Sequence, residues 1–374
     1  MNLTSQEKSK SFSDLARDVI SLDLCLKCGA CVAACPTNAL ALTDDKVALK
    51  GSCIDCGICY HRCPQLADGE TLAGKIFGEA SKTSDIGFFE EAFSVRATSP
   101  DIRSRCQDGG GVTGLLTALL DSGFIDGSVV MGTRDLPWKP WPKVAKTCQD
   151  LLDCAGSKYS PGPMLLGLRD AVDLYSLKEV AVVGTPCQIK AIRLMQTNGT
   201  PRRLTDAIKL CIGIFCGGSY PYEEFFRKVI QGELNIDLAE VTKFDIKGRN
   251  FIIYQREKPK REISLNSLKQ FVFPPCRVCS DYTAELADVS IGSTGSPSGW
   301  STVILRSPVG QRAFNRARQS QELDIIPLEE VKPGIEAVKR ASVKKRRSSR
   351  KEIERRKREG VPLPSWFRRK EILE

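Results

Sequence analysis

Sixteen cysteines and a single histidine limit the chemistry available to this 374-residue chain. With His61 alone, neither a histidine-rich metal site nor a triad built on several histidines is available, so thiolates must hold any metal. The polar N-terminal residues lack an export signal, so this many cysteines are not expected to form disulfides. Eight of the cysteines form two runs of the pattern C-x2-C-x2-C-x3-C-P: Cys25, Cys28, Cys31, Cys35 and Pro36, then Cys53, Cys56, Cys59, Cys63 and Pro64.

The doubled run predicts two [4Fe–4S] clusters. Each iron of a cubane needs one thiolate, and in two-cluster ferredoxins the last cysteine of each run ligates the other cluster. The first ferredoxin set is therefore Cys25, Cys28, Cys31 and Cys63. The second ferredoxin set is Cys53, Cys56, Cys59 and Cys35. A pair of structural zinc sites is the alternative, but zinc sites usually pair C-x2-C units across a longer gap.

Eight cysteines lie outside the two runs: Cys106, Cys148, Cys154, Cys187, Cys211, Cys216, Cys276 and Cys279. Buried free cysteine is common, so half of these can be inert. Cys276 and Cys279 form a C-x2-C loop, while Cys187 and Cys216 each lie where a predicted strand ends, at the edge where α/β sheets usually hold their sites. From the residues alone, a third metal site and inert cysteines are equally good interpretations.

Two loops of small residues could bind a polar ligand. Residues 107–113 (QDGGGVT) precede a helix, where glycines let the backbone approach a phosphate and the helix N-terminus offers free N–H groups. This loop does not fit G-x-G-x-x-G after a strand, so a nicotinamide-binding Rossmann site is not favoured. An ordinary glycine turn explains it equally well. Residues 292–302 form the second loop, whose hydroxyls and amides suit a polar ligand.

The elements that would position these residues alternate between strand and helix. Buried strands are predicted at 128–131, 179–183, 208–215, 289–293 and 302–306. Helices are predicted at 112–120 and 188–196. This alternation predicts an α/β core of about 240 residues. Between the cysteine runs, residues 38–50 alternate weakly around Asp44-Asp45, which predicts a short hairpin.

The positive charge is concentrated at the C-terminal end. The chain has a net charge of +10, and residues 339–374 alone account for it, so the body is neutral. This basic arm is expected to be helical and either to dock on an acidic partner, to meet anionic lipid, or to stay solvated. Nucleic-acid binding is disfavoured because the neutral body offers no second basic face. No run approaches the roughly 20 apolar residues of a membrane-spanning helix.

Residues 94–334 resemble the beta subunit of coenzyme F420-reducing hydrogenase and its relatives in deazaflavin dehydrogenases and formate dehydrogenases. The doubled cysteine run is absent from the hydrogenase subunit proper and is more similar to input subunits of membrane F420H2 dehydrogenases, or to homologues that feed heterodisulfide reductase. The matching segments are QDGGGVT (107–113), GSKY (156–159), GTPCQ (184–188), GIFC (213–216) and CRVCSDYTAELADVSIGSTGSPSGWST (276–302).

The resemblance implies one FAD and a third [4Fe–4S] cluster in the core. It implies that this cluster is held by a core set, Cys187, Cys216, Cys276 and Cys279, with Cys211 competing for one place. It also implies that FAD and F420 are bound by residues of the matching loops: Gln107, Asp108, Gly109, Gly110, Gly111, Thr113, Ser157, Lys158, Tyr159, Thr185, Ser293, Thr294, Gly295, Ser296, Trp300, Ser301 and Thr302.

The reaction implied by the resemblance is that of an F420-dependent oxidoreductase. A deazaflavin exchanges a hydride whereas an iron–sulfur cluster carries one electron, so FAD, reacting at N5, would connect the two. No side chain is then expected to be catalytic. Electrons would pass to or from partner subunits of a membrane F420H2 dehydrogenase, heterodisulfide reductase, hydrogenase or formate dehydrogenase complex. The alternative is a flavin-free, polyferredoxin-like electron-transfer adaptor, which flavin content would distinguish.

The expected setting is the cytoplasm of a methanogenic archaeon, with at most peripheral membrane attachment through a partner. The predicted organisation is a bacterial-type two-cluster ferredoxin domain (1–66), a linker (67–94), an α/β core holding FAD and [4Fe–4S] (95–335), and the basic helical arm (336–374). We expect the ferredoxin domain and the core to have separate hydrophobic interiors.

Overall fold

The computed structural model describes residues 10–43, 45–78 and 84–370. Its strands are β1 (Leu40–Thr43), β2 (Lys46–Leu49), β3 (Glu91–Ala97), β4 (Gly127–Thr133), β5 (Pro140–Ala145), β6 (Val180–Gly184), β7 (Ile208–Ile214), β8 (Val241–Lys247), β9 (Asn250–Gln255), β10 (Lys258–Ser264), β11 (Val289–Gly292), β12 (Ser301–Leu305) and β13 (Leu323–Pro327).

The α-helices of the same ranges are α1 (Phe12–Leu15), α2 (Ala30–Ala33), α3 (Ile58–His61), α4 (Gly69–Phe77), α5 (Pro100–Arg105), α6 (Gly111–Asp121), α7 (Cys148–Asp153), α8 (Met164–Asp173), α9 (Pro186–Thr197), α10 (Arg202–Thr205), α11 (Pro274–Arg277), α12 (Pro308–Gln319), α13 (Ile335–Glu359) and α14 (Ser365–Lys370). Wider π-helical turns span Ala16–Ile20 and Tyr222–Glu233, and shorter 3-10 turns span Pro64–Leu66, Leu238–Glu240, Ser267–Phe271 and Leu328–Glu330.

An eight-stranded mixed sheet forms the centre of the molecule, in the order β13-β3-β12-β11-β7-β6-β4-β5. Neighbouring strands β11, β7, β6 and β4 run parallel, while β12 pairs antiparallel with β11 and with β3. The parallel strands are almost continuously apolar and buried, as expected for strands covered on both faces. All five strands predicted from the sequence are present, so the α/β fold class is confirmed.

Three strands of the large sheet were not predicted. β3 (EAFSVRA) mixes charged and apolar residues, and β13 (LDIIP) is short and ends at a proline. β5 (PWPKVA) contains two prolines, which a strand tolerates when only one of its sides is paired, and β5 lies at the sheet edge. None of these three strands has a continuous apolar run, so they are recognised only from the strands with which they pair.

A second, three-stranded sheet, in the order β10-β9-β8, was also missed by sequence reasoning. It packs its apolar face on the π-helical segment Tyr222–Glu233, and Phe225, Phe226, Phe244 and Phe251 are fully buried there. Its outer strand β10 (KPKREIS) is exposed along most of its length. Polar residues on that strand hid the alternation by which a half-buried sheet is usually recognised.

The two cysteine runs fold as similar local units. Gly29 and Gly57 both take left-handed backbone angles, with φ of 82° and 70°, and each precedes a one-turn helix, α2 or α3. Between them β1 and β2 pair antiparallel, so the predicted hairpin is confirmed, although its turn residue Asp44 lies outside the described residues. The region predicted as a linker contains helix α4 and the start of β3.

The expectation of separate hydrophobic interiors is wrong. One buried cluster contains Leu24 and Val32 of the cysteine-rich segment and Leu72 of α4, together with Leu165 and Ile189 of the core. The contact is continuous because α2 packs on α8 and α4 packs on α9. The cysteine-rich segment is therefore fixed against the sheet by apolar burial.

The basic arm forms helix α13, as predicted, but it is not an isolated helix. Val338, Ser342, Ser349 and Arg356 are buried against the core, and Ser342 Oγ donates a hydrogen bond to the Asp85 carbonyl. Deleting the arm would therefore expose core surface. A loss of partner binding in such a truncated chain would not by itself show that the arm docks on a partner. Docking by its exposed basic face stays a prediction. In the described ranges, no helix has the length and apolar character to span a bilayer.

Candidate metal centres and nucleotide site

The structure brings the four cysteines of the first ferredoxin set together. Burial, followed by the nearby thiolates of Cys63 and Cys25, raises the pKa of Cys28 to about 12. Burial and the thiolates of Cys25, Cys28 and Cys63 raise the pKa of Cys31 in the same way. Four thiols that each resist ionisation in the same small volume are a ligand set that gains by binding iron cations.

The second ferredoxin set surrounds a pocket. Cys35, Cys53, Cys56 and Cys59 all line it, with Phe12, Leu40 and Ile54 among the other lining residues. Burial, and then the thiolates of Cys56, Cys53 and Cys35, raise the pKa of Cys59 to about 11. Cys53 and Cys56 are exposed to solvent, unlike the cysteines of the first set.

The core set also converges. Burial raises the pKa of Cys276, with further contributions from Cys216, Cys187 and Cys279, and burial raises the pKa of Cys187 to about 12. The competitor, Cys211, lies elsewhere within β7. Its backbone N–H donates to Asp288 Oδ2 at 2.8 Å, and its charged neighbours are Arg193 and Asp288. The contacts support the four cysteines of the core set over Cys211.

These three sets suit cubanes better than single ions. In the described part of the chain, no three His, Cys, Asp or Glu side chains are placed to hold one metal ion. A zinc site needs four ligands directed at one point, whereas the four thiolates of a cubane each bind a different iron. Each set offers four thiolates, one for each iron of a [4Fe–4S] cluster.

The core set lies at the carboxyl ends of parallel strands. Cys187 follows β6 at the start of α9, whose N-terminus is closed by a capping box between Thr185 and Gln188. Cys216 follows β7, and its N–H donates to the Tyr282 carbonyl at 2.8 Å. Ligands usually bind at this edge of an α/β sheet. The same edge carries the loop after β11, which includes Ser293 and Thr294.

The first ferredoxin set and the core set are adjacent. Leu165 N–H donates to the Cys28 carbonyl at 3.0 Å, and Gln188 Nε2 donates to the Gly162 carbonyl at 2.9 Å, so both cysteine loops contact residues 162–165. Lys190, on α9, lies between the sets. Burial lowers the pKa of Lys190, and the thiolates of Cys279 and Cys63 act against that shift.

The glycine loop packs directly on the sheet. A Cβ atom on Gly109 would lie 2.7 Å from the Val95 carbonyl oxygen and 2.8 Å from the Ser301 nitrogen, so only glycine permits this approach. Gly110 is left-handed, with φ of 70°, and forms the N-cap of α6 without a side-chain cap. Gly111 and Thr113 begin that helix. Its uncapped N-terminus suits the phosphates of a nucleotide.

Polar groups of three loops meet beside this helix. Gln107 Nε2 donates to Asp245 Oδ1 at 2.5 Å, and Asp108 is hydrogen-bonded to Ser293. Burial, then Asp245 and Asp108, raise the pKa of Tyr159, which is also hydrogen-bonded to Ser157. Asp245, from β8, is only 2% exposed. The structure thus places Gln107, Asp108, Tyr159 and Ser293 around a carboxylate that sequence reasoning missed.

Two buried acceptors at this place have no hydrogen-bond donor among the described residues: Gln107 Oε1 and Asp245 Oδ2. The nearest cation to the latter is Lys247, at 3.5 Å without hydrogen-bond geometry. Buried acceptors left unpaired are costly, so a ligand that donates N–H or O–H groups is expected here. The hydroxyls and ring N–H of a flavin nucleotide provide such donors, next to a helix terminus that suits its phosphates.

Other residues predicted to bind the cofactors make hydrogen bonds within the protein. Lys158 donates to the carbonyls of Cys154, Ala155 and Gly156 at 2.8–3.0 Å, closing the end of α7. Ser296 pairs with Thr302 at 2.7 Å and Thr294 with the Tyr282 hydroxyl at 2.8 Å. Thr185 lies beside Cys187, so it belongs to the core set's surroundings rather than to the Asp245 cluster.

The remaining predicted residues, Gly295, Trp300 and Ser301, belong to the loop 292–302, which packs against the glycine loop 107–113. The guanidinium of Arg96 stacks over the Trp300 ring at 4.6 Å, and the Ser301 side chain contacts the glycine loop. Gly295 packs against Thr302 and Val338, at a φ of 108° that favours glycine. These contacts bring residues 295–302 against both the glycine loop and helix α13.

Comparison with family models gives three matches. Residues 92–169 match the model for the N-terminal part of the coenzyme F420 hydrogenase/dehydrogenase beta subunit, and residues 177–331 match the model for its C-terminal part. Residues 17–64 match the 4Fe-4S dicluster domain. The glycine loop lies within the N-terminal match, and the four cysteines of the core set lie within the C-terminal match.

Curated relatives of the chain carry related names. Coenzyme F420 hydrogenase subunit beta of Methanothermobacter thermautotrophicus is 39% identical over 75% of this chain and 99% of its own. The F subunit of the F(420)H(2) dehydrogenase of Methanosarcina mazei is 30% identical over 89% of this chain and 92% of its own. Coenzyme F420-dependent sulfite reductase of Methanocaldococcus jannaschii is 32% identical over 91% of this chain but 52% of its own.

One solved structure shows the same fold. A chain of the F420-reducing [NiFe] hydrogenase complex from Methanosarcina barkeri superposes with a TM-score of 0.71 at 33% identity, covering 75% of this chain and 96% of that chain. The unmatched quarter is comparable in size to the N-terminal cysteine-rich segment and α4 together. The similarity to the Methanosarcina mazei protein covers more of the chain, 89%.

Proposed function

This chain belongs to the family of coenzyme F420 hydrogenase/dehydrogenase beta subunits, and on that basis we propose that it exchanges a hydride with coenzyme F420 and passes single electrons through iron–sulfur clusters to a partner. It is an F420-dependent oxidoreductase subunit. The observation that carries the proposal is the order in which the four sites lie next to one another in the folded chain. The Asp245 cluster, the core set, the first ferredoxin set and the second ferredoxin set are neighbours in that order.

FAD is assigned to the Asp245 cluster and the glycine loop, and one [4Fe–4S] cluster to each cysteine set. FAD supplies the exchange between hydride and single electrons, and the clusters carry those electrons one at a time. The protein's own part is positional. The N-terminus of α6 would hold phosphate, and Gln107 Oε1 and Asp245 Oδ2 would accept hydrogen bonds from the nucleotide. Tyr282 links Thr294 to the Cys216 loop.

The second ferredoxin set is the proposed exit to a partner. Its Cys53 and Cys56 are exposed, and the neighbouring Ile54 and Leu49 are 60% and 46% exposed although they are large apolar residues. Small apolar patches of this kind suit transient contact with another redox protein. The partner is another subunit of a redox complex, of the membrane F420H2 dehydrogenase, heterodisulfide reductase, hydrogenase or formate dehydrogenase type.

The setting we propose is the cytoplasm of a methanogenic archaeon, because the three relatives compared above come from such organisms. Any membrane attachment would be peripheral and would run through the partner complex. The flavin-free adaptor stays the second candidate. Gln107 Oε1 and Asp245 Oδ2, two buried acceptors without a hydrogen-bond donor among the described residues, favour a nucleotide-binding subunit over it.

Mixing with reduced coenzyme F420 tests the proposed reaction. We expect the anaerobically purified full chain to oxidise F420H2 in rapid mixing, with the flavin absorbance bleaching first and the cluster absorbance following. The order is expected because a hydride can enter only at the flavin. Cluster bleaching without flavin, or no oxidation of F420H2 by a chain that contains both, would contradict the proposal.

A further inference from the structure

Helix α13 meets the core set through a row of hydrogen-bond donors on one face. Ser349 Oγ donates to the Val278 carbonyl at 2.8 Å, and Arg356 Nη2 donates to the Pro274 carbonyl at 2.8 Å. Lys345 Nζ donates to the Cys216 carbonyl at 2.7 Å and to the Asp281 carbonyl at 2.6 Å. Lys345 therefore ties together the two loops that carry Cys216, Cys276 and Cys279.

We propose that Lys345 is a positioning residue of the core cluster, whose fixed positive charge raises the reduction potential of that cluster selectively. The inference rests on the proposed function, since it needs the third cluster to be present. It goes beyond that function because it assigns the control of one cluster's potential to a residue of the basic arm.

The charge of Lys345 is not cancelled by a hydrogen-bonded carboxylate. Both of its described partners are neutral carbonyls, and the Asp281 carboxylate instead accepts from the Glu285 backbone N–H at 3.1–3.2 Å. The Glu285 carboxylate pairs with Arg346. The Asp281 carboxylate does act on the Lys345 charge through space, but it accepts no described hydrogen bond from the ammonium. The ammonium therefore still acts on the core set, where low dielectric strengthens its field.

A nearby positive charge stabilises the reduced form of a cluster, since reduction adds a negative charge. Net charge and hydrogen bonding around the sulfurs are established determinants of iron–sulfur potentials. Lys190 lies between the core set and the first ferredoxin set, so it acts on both. The cysteines that Lys345 approaches all belong to the core set. Lys345 therefore favours the electron on the core cluster over the electron on the cluster of the first ferredoxin set.

Two substitutions at Lys345 separate charge from packing, and one neighbour supplies the control. Lys345→Gln removes the charge but keeps an N–H donor, Lys345→Arg keeps the charge, and Lys344→Gln removes the same charge from a less buried position one residue away. Charges that water and salt can reach are screened, so the Lys344 charge should have little influence on the reduction potential of the core cluster. Each full-length protein is titrated with reductant while its cluster signals are followed by electron paramagnetic resonance.

In Lys345→Gln we expect one of three one-electron steps to move to lower potential while the other two stay in place. The expected size is about a tenfold change in the ratio of reduced to oxidised core cluster at fixed potential, which for one electron corresponds to about 59 mV. Lys345→Arg and Lys344→Gln should reproduce the unmodified chain.

Three results would overturn it. Unmoved steps in a Lys345→Gln protein with its full iron content would show that the charge has no selective effect. A Lys345→Arg protein that shifts or loses the core cluster as Lys345→Gln does would show that charge is not the cause. An unmodified chain with only two clusters would instead overturn the proposed third cluster, and the iron content distinguishes this failure from the other two.

Discussion

Replacing Cys276 by serine is expected to remove the core cluster and lower electron delivery to a protein acceptor by roughly 100-fold, as loss of even outer partners of a metal usually costs about 10–100-fold. Cys276 is half-buried and lies close to the other three cysteines of the core set. The change lies beyond the nucleotide loops, so reduction of the flavin by F420H2 should continue. The measurement is iron content together with the rates of flavin reduction and of acceptor reduction.

Cys211→Ser is the matched control. Cys211 is a buried cysteine of the same sheet, but its neighbours are Arg193 and Asp288 rather than the core set. We expect this variant to keep its iron and both rates within about twofold, as for a near-isosteric change. A Cys276→Ser protein with full iron and normal acceptor reduction would remove Cys276 from the ligand set. Loss of four irons in Cys211→Ser would assign that place to Cys211.

Replacing Asp245 by alanine is expected to weaken FAD binding by about tenfold or more, because leaving a buried polar group unpaired costs about 1–3 kcal/mol. Gln107 Nε2 would lose its acceptor at 2.5 Å, and the loop that begins at Gln107 would lose its attachment to β8. The Asp245 carboxylate accepts from Gln107 and from the Ile246 N–H rather than from a cysteine loop, so the iron content should be unchanged. Fluorescence titration of the flavin-depleted protein with FAD measures the affinity.

Asp245→Asn separates hydrogen bonding from charge at this position. Its side-chain oxygen can still accept from Gln107, but its NH2 group takes the place of the acceptor Oδ2, so we expect an FAD affinity between those of Asp245→Ala and the unmodified chain. Equal FAD affinity in Asp245→Ala and the unmodified chain would contradict the placement of FAD at this cluster. A drop in iron content in Asp245→Ala would indicate general unfolding, and circular dichroism would reveal it directly.

The ferredoxin cysteines could be predicted because short spacing fixes local geometry. Each run makes the same local turns, with left-handed backbone at Lys27 and Gly29 in the first and at Asp55 and Gly57 in the second, and the repeated spacing reports this. The core set is different, since its members lie on loops far apart in the chain. The predicted strand ends place Cys187 and Cys216 at the same edge of the sheet. Only the resemblance to the beta-subunit family groups them with Cys276 and Cys279.

Asp245 and Lys345 could not be predicted from a pattern. Asp245 is one polar residue in the strand VTKFDIK, and nothing in that alternation shows that it faces a loop more than a hundred residues away. Lys345 lies in a run of basic residues, which composition assigns to solvent. Its helix does carry a periodic buried face, Val338, Ser342 and Ser349, but small hydroxyl side chains gave no apolar signal.

The central claim is that one chain holds the complete route from hydride to single electrons. Anaerobic purification followed by iron, acid-labile sulfide and flavin analysis tests it most directly. The account predicts about 12 iron atoms, about 12 sulfides and about one FAD per chain, since each cubane contains four of each inorganic atom. About eight iron atoms with one FAD would contradict the core cluster, and about 12 iron atoms without flavin would contradict the oxidoreductase in favour of the electron-transfer adaptor.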